Sequence, residues 1–422
     1  MAANTIDLPQ VMAKIRTAFE KRNKLYRTTK WSYGGRLEEL NARMSKLIAD
    51  THLKLPVSQQ ISLEAQWVIN YSDDWQRADD TLKRLAASLD KAASSNASET
   101  LDQQDDGSWG PGATEFYRKL EPTVDFLQNE DFTGKSPKPL TFMKWLMKPD
   151  EVRTKLEALR VTRIHLDGRN NRDEFGSMIT SLTQLFFKKA MRDFFTQHPT
   201  TEFSVSDDSV MSLQKYLWKI QGSTGYWGPT YDFEDEVIDV QDLSYTFHIV
   251  KYYNDGEKKK LPKIDDIVAT TTEVDSYSYP NGLKPPPPDY SDHNNYDLVT
   301  MFAQMWDFMD QTARNTAIAE IKNLIEWCLT TSLVGDMFAP SKDMSIVNSF
   351  NWGVQFLQVS GYWPPQKPFW ADDRSSLPST PNPHELAARL LARFMRPDIN
   401  DHSPVANKVI KTLQAAIAAP IA

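Results

Sequence analysis

The chain has 422 residues, 40% of them hydrophobic and 25% charged, enough apolar material for one large core or two to three ordinary ones. Its net charge of −8 and its single cysteine, Cys328, exclude a uniformly basic nucleic-acid coat and any disulfide framework within the chain, so nothing calls for an oxidising compartment. Met1 to Gln10 has no apolar core of a secretory signal, and the longest uncharged run, 344–366, carries too many polar groups for lipid, so no membrane partner is expected.

Asp7-Leu8-Pro9 has the form of a helix start, with a capping acid and an early proline. Val11, Ile15, Ala18 and Phe19 then follow at helical spacing. Gly34-Gly35 breaks that run, and Leu37, Leu40, Met44, Leu47 and Ile48 predict a second amphipathic helix. Helical pattern resumes from Ile61 to Leu89, and Lys91 to Gly112 reads as a loop rich in Ser, Asp, Gln and Gly. Helix is predicted for 114–127, a short strand for 159–166, and one strong helix for 173–195. Val237, Ile238, Val240, Leu243, Tyr245, Phe247, Ile249 and Tyr252 predict two strands and a turn over 236–253. A long polar stretch, 254–295, follows. Its run Pro285 to Pro288 predicts a stiff polyproline spacer, and loops of that length are mostly functional or extended surface features. The best helical pattern runs from Tyr296 to Leu333 and places Cys328 in an apolar row as a buried thiol. Trp352 to Val359 looks strand-like, and helices over 384–394 and 404–418 close the chain.

One motif occurs three times: Gly107-Ser108-Trp109-Gly110-Pro111, Gly225-Tyr226-Trp227-Gly228-Pro229 and Gly361-Tyr362-Trp363-Pro364-Pro365. The intervals are too long and uneven for a solenoid repeat. Each copy reads as a stiff turn that fixes a tryptophan. In the plainer sense the ring packs back on its own core. In the functional sense Trp109, Tyr226, Trp227, Tyr362, Trp363 and the nearby Trp370 are anchors at a contact between subunits, where such side chains dominate binding energy.

Catalytic patterns are sparse. The seven histidines include no pair at i, i+3 or i, i+4, so no helix is expected to carry a paired metal site, and no metal or cofactor is expected. No HExxH, CxxC, Walker lysine loop or GxSxG is present. Gly222-Ser223-Thr224-Gly225 lacks the following Gly-Lys of a phosphate cradle. Asp232, Glu234, Asp235, Glu236, Asp239 and Asp242 form an acidic cluster in which two carboxylates beside Tyr226 and Trp227 would serve as acid and base on a sugar. The polar run around His165, Asp167 and Arg169 reads chiefly as a turn before a capped helix.

Charge is more informative. Residues 1–36 hold Lys14, Arg16, Lys21, Arg22, Lys24, Arg27, Lys30 and Arg36 against Asp7 and Glu20, a net of +6 that leaves −14 for the rest. A basic N-terminal helix on an acidic body is either a solvated face or an arm for sequence-independent phosphate contact.

In length, mostly helical make-up and a strand-and-loop excursion over 236–295, the chain resembles the capsid proteins of partitivirus-type double-stranded RNA viruses of fungi and plants. That resemblance implies a mainly α fold with a minor β and loop excursion, built as a helical shell domain plus a protruding domain. It divides the chain as an arm region 1–98, shell segments 99–225 and 296–422, and a protrusion 226–295. It further implies a non-enzymatic subunit that assembles with copies of itself into an icosahedral virion in the host cytoplasm, with the Lys14 to Arg36 arm facing viral RNA. The alternatives are a carbohydrate-active enzyme built on the acidic cluster and a helical partner-binding protein that does not assemble.

Overall fold

The structure is a computed structural model that describes residues 138–163, 171–233, 236–257, 259–273, 292–339, 346–378, 381–397, 399–400 and 404–420, with the piece 103–108 and the single positions 17, 83, 120, 123, 124 and 127 before them. It is mainly helical, as expected. The chain forms two compact units: the first comprises 1–222 and 227–240, the second 223–226 and 241–422.

In the first unit a 3-10 segment, Thr141–Met147, leads into α1 (Pro149–Arg160), then strand β1 (Val161–Thr162), α2 (Arg172–Phe187), α3 (Lys189–Gln197), α4 (Asp207–Ile220) and strands β2 (Thr230–Phe233) and β3 (Glu236–Asp239). Helix α1 starts with Pro149 in its first turn beside Asp150 and Glu151 and ends on Arg160, which matches the sign of the helix dipole at both ends. Helix α4 is capped by Ser206, whose Oγ accepts the Ser209 amide at 3.1 Å, and buries Ser209, Leu213, Tyr216 and Leu217 on one face. Helices α1 and α4 both pack on α2. The sheet order is β1-β2-β3; β1 runs parallel to β2, and β3 antiparallel with Tyr231 opposite Ile238.

The second unit contains α5 (Leu243–Asn254), α6 (Ile264–Thr272), α7 (Asp292–Met305), α8 (Gln311–Trp327), a π turn (Cys328–Ser332), the hairpin β4 (Leu333–Val334) and β5 (Met337–Phe338), α9 (Ile346–Val359), α10 (Pro383–Phe394) and α11 (Pro404–Ala418). Helix α7 packs against α5, α6 and α9, and α9 against α11 and β5. Gly353 allows that last contact: a Cβ there would lie 2.3 Å from the Phe338 ring, which is fully buried. Cys328 is a free thiol buried in the π turn, as its apolar row predicts.

Several elements differ from the sequence reading. Residues 352–359 are helix, not strand, because α9 buries Val347, Phe350, Val354 and Leu357 at helical spacing, and that burial outweighs local β preference. Only the first four residues of 236–253, Glu236–Asp239, are strand. Asp242 caps a helix by accepting the Tyr245 amide at 3.1 Å, and the apolar residues that resemble a strand are buried around most of that helix. The 173–195 helix breaks at Lys188, whose backbone is extended, with Arg192 donating back to the Phe187 carbonyl at 2.9 Å. Helix α6 lies inside the stretch expected to be loop, and both α5 and α6 belong to the second unit.

Candidate functional site

The glycine that opens the repeated motif has one conformation in all three copies. Gly107, Gly225 and Gly361 have φ of +86°, +79° and +81°, the left-handed region that suits glycine. Each also lies against another backbone segment: a Cβ would fall 2.3 Å from the Pro139 oxygen, 2.5 Å from the Ile267 nitrogen and 2.4 Å from the Pro368 nitrogen respectively. The residue after each glycine (Ser108, Tyr226, Tyr362) is buried.

The tryptophans then turn inward. Trp227 is 1% exposed and its Nε1 donates to the Leu217 carbonyl at 2.7 Å, one of the carbonyls that the end of α4 leaves unpaired. Trp363, equally buried, donates to the Val354 carbonyl of α9 at 3.0 Å, and Trp370 to the Ser360 carbonyl at 2.9 Å. The Tyr226 hydroxyl pairs with Thr271 Oγ1 at 2.9 Å, and the Tyr362 hydroxyl donates to the Pro381 carbonyl at 2.6 Å. Arg374 binds the Gly361 and Gln366 carbonyls at 2.8 and 2.9 Å and the Tyr362 carbonyl as well. The expectation that Tyr226, Trp227, Tyr362, Trp363 and Trp370 stand exposed as contacts for another subunit is therefore corrected. Each ring is buried in its own chain because a carbonyl or hydroxyl there satisfies its polar tip. Trp109 lies outside the described residues.

The acidic cluster is held by neighbours of opposite charge or by the backbone. Asp232 pairs with Arg163 at 2.9 Å; Asp239 pairs with Arg160 at 3.5 Å and with the Thr230 hydroxyl; Asp242 is a helix cap. These are sheet and cap contacts rather than a carboxylate pair aimed at a substrate, and exposed pairs of this kind contribute about 0–1 kcal/mol. Glu234, Asp235, the His165-Asp167-Arg169 turn and the basic arm Lys14, Arg16, Lys21, Arg22, Lys24, Arg27, Lys30 and Arg36 lie outside the described residues. In the first unit a hollow of about 10 Å³ lies between Val152, Leu156, Phe186, Leu213 and Tyr216, far smaller than the roughly 300–1,000 Å³ of small-molecule sites. No group of three or more potential metal ligands occurs among the described residues, and no helix among them is long and apolar enough to cross a membrane.

A group of buried ionisable side chains lies where α5, α7 and α9 meet. Helix α7 opens with Asp292, His293, Asn294, Asn295, Tyr296 and Asp297, and only His293 and Tyr296 of these reach solvent. Two buried aspartates on this helix have opposite surroundings. Asp292 accepts from the Ser332 hydroxyl at 2.5 Å and from Asn295 at 3.2 Å. Asp297 is fully buried, and neither carboxylate oxygen has a hydrogen-bond partner among the described residues. His293 Nε2, one helical turn earlier, lies 3.7 Å from Asp297 Oδ1. Burial pushes the Asp297 carboxyl well above the ordinary range, Lys251 opposing the shift and Asp242 adding to it.

Aromatic rings frame this pair. The His293 ring stacks on Trp352 of α9 with centroids 4.1 Å apart, and its side chain is 25% exposed. From α5, His248 stacks on Tyr252 at 5.7 Å, and its Nδ1 has no partner among the described residues. Lys251 donates to the Tyr296 hydroxyl at 3.0 Å and lies over the Phe247, Tyr252 and Tyr296 rings. Burial, then the charge of Lys251, lowers His293 to about 4, and burial lowers His248 well below its usual value. The seam thus disfavours charge on His293, His248, Asp292 and Asp297 alike. It can take up protons, but it holds no activated nucleophile: burial, and then nearby Asp292, raise the Cys328 thiol well above its usual value.

A search of the sequence for paired histidines misses this seam, because its pair is histidine with aspartate at i, i+4. The available signal is the polar run 292–297 leading straight into the apolar row of α7. No family model, curated protein or solved structure matches the chain.

Proposed function

We propose that this protein is a structural subunit that associates with copies of itself, and that the assembly is a closed shell of the partitivirus type enclosing RNA. Self-association is supported chiefly by the outer edge of the first unit's sheet, which no strand among the described residues covers. With order β1-β2-β3, strand β3 has no partner on its outer side among the described residues, and Val237 on it is 66% exposed. An unpaired strand edge with an exposed β-branched residue is a template for a strand from another chain. Two copies meeting edge to edge would pair β3 with β3 about a two-fold axis, an isologous contact of the kind that builds dimers first and closed shells from dimers. The buried tryptophans have a different part in this reading: they stiffen each subunit rather than join subunits. Enclosure of RNA is supported by the charge of residues 1–36 and by the resemblance in length and helical make-up. The Lys14 to Arg36 arm supplies phosphate contact.

Size-exclusion chromatography with negative-stain microscopy tests the assembly. Wild-type protein is expected as large closed particles. Val237→Lys, which puts a charge on the edge without touching the core, is expected to release monomers. A wild-type protein that runs as a clean monomer removes the reading, and particles unchanged by Val237→Lys remove β3 from the contact. Replacing the eight arm cations with glutamine is expected to lower the nucleic-acid content of the particles and leave their size alone.

A further inference from the structure

We propose that the exposed end of α10, with the β4–β5 hairpin beside it, receives the first turns of α4 from a neighbouring copy of the chain. The proposal rests on the shell reading above and supplies the contact that reading still lacks. A two-fold contact through β3 stops at dimers, so a closed shell needs a second, heterologous contact in which two different surfaces meet. Among the described residues the exposed large apolar side chains are Val237 on β3, Met211 on α4, and Val334, Ile346, Met395 and Ile417 in the second unit. A lone exposed apolar side chain is ordinary. Two of these places differ, because each is joined to a run of charge and the two runs have opposite sign.

The hairpin and the end of α10 form one surface. Gly335 and Asp336 have φ of +58° and +60°, which closes a two-residue turn and sets Val334 opposite Met337. Arg389 Nε donates to Asp336 Oδ1 at 3.0 Å, and an Arg393 nitrogen lies 3.1 Å from the Met337 sulfur, so the hairpin runs along the last turns of α10. Arg389, Arg393 and Arg396 follow at i, i+4 and i+7 along that helix and its closing turn. Val334 on the hairpin is 65% exposed, and Met395 at the helix end is 50% exposed. The surface is thus apolar and basic, and Asp336 is the acid that the hairpin contributes.

The exposed face of α4 carries the complement. Asp207 and Asp208 open the helix, Met211 is 47% exposed one turn later, and Lys215 is exposed one turn beyond it. Asp208, Met211 and Lys215 lie at i, i+3 and i+7 on one face. Both rows span about two helical turns, roughly 10 Å. With α4 antiparallel to α10, its aspartates meet Arg393 and Arg396, Met211 meets Met395 and Val334, and Lys215 meets Asp336. Charge of both signs and the apolar centre are then matched, which fixes partner and register. Ser206 caps α4 from within its own chain, so docking disturbs no cap. A contact between two helix ends is small, and it holds only where dimers present several copies of it at once.

Charge reversal in the full chain tests the contact, read by light scattering and negative-stain microscopy. Asp208→Arg and Arg396→Glu are each expected to raise the protein concentration needed for particles roughly tenfold or more, leaving dimers held by β3. The double variant restores the pairing with its signs exchanged and is expected to form particles within about twofold of the wild-type concentration. Circular dichroism checks that each variant folds. Should one not fold, carbodiimide coupling of wild-type particles gives an independent reading. It is expected to join Lys215 of one copy to Asp336 of another, a link that mass spectrometry finds between isotope-labelled and unlabelled chains in particles and not in dimers. The contact is overturned if wild-type particles lack that link, if either single reversal assembles as the wild type does, or if the double variant stays dimeric. Wild-type protein that stops at dimers overturns it as well, whereas wild-type monomers remove the shell reading itself.

Discussion

Trp363→Ala is expected to destabilise the second unit by about 3–5 kcal/mol, the usual range for removing a fully buried aromatic side chain. The ring is 1% exposed, packs edge-on against Tyr362 at 5.1 Å, and gives its only N–H to the Val354 carbonyl of α9. Removing it opens a cavity beside the helix that supports both α7 and α11. Trp363→Phe separates the two contributions, since it restores much of the volume but not the donor, and should recover more than half of the loss. Urea unfolding followed by circular dichroism measures both variants. If the rings were instead surface anchors for another subunit, Trp363→Ala would leave monomer stability unchanged and alter only assembly.

The second large effect concerns the motif glycines. Gly225→Ala and Gly361→Ala each force a residue with a Cβ into left-handed backbone, about 1–2 kcal/mol. Each also drives that Cβ to 2.5 or 2.4 Å from a backbone nitrogen, which cannot rotate away as a side chain can. Overpacking adds roughly 1–3 kcal/mol, so a total of about 2–5 kcal/mol is expected. Gly256→Ala is the internal control. Its φ of +83° is nearly the same, but nothing lies within 4 Å, so only the backbone cost of about 1–2 kcal/mol applies. Equal losses at Gly361 and Gly256 would show that the close approach contributes nothing. Thermal denaturation of the three variants side by side makes the comparison.

The C-terminal helices were legible because their signals agree. The helix expected over 384–394 has a strong apolar period, and the structure begins it one residue earlier, at Pro383, with Asn382 Oδ1 accepting the His384 and Glu385 amides at 3.0 and 3.2 Å. Helix α9 was not legible, since a helix buried around most of its circumference loses the polar face that distinguishes a period of 3.6 from a period of 2. The motif was visible as a recurrence, but not which way its rings point. That depends on a carbonyl nine or ten residues upstream, and spacing alone does not mark Leu217 or Val354 as acceptors. The polar seam was hidden for a further reason. His248, His293 and Trp352 are far apart in the chain, and only the packing of three helices turns them into neighbours.

Cys328 lies in the π turn with no accessible surface, and the chain has no other sulfhydryl. Alkylation chemistry therefore has a single target that reagents meet only after the surrounding helices part. The rate of labelling would serve as a built-in clock for breathing of the second unit, read at one atom and needing no engineered probe.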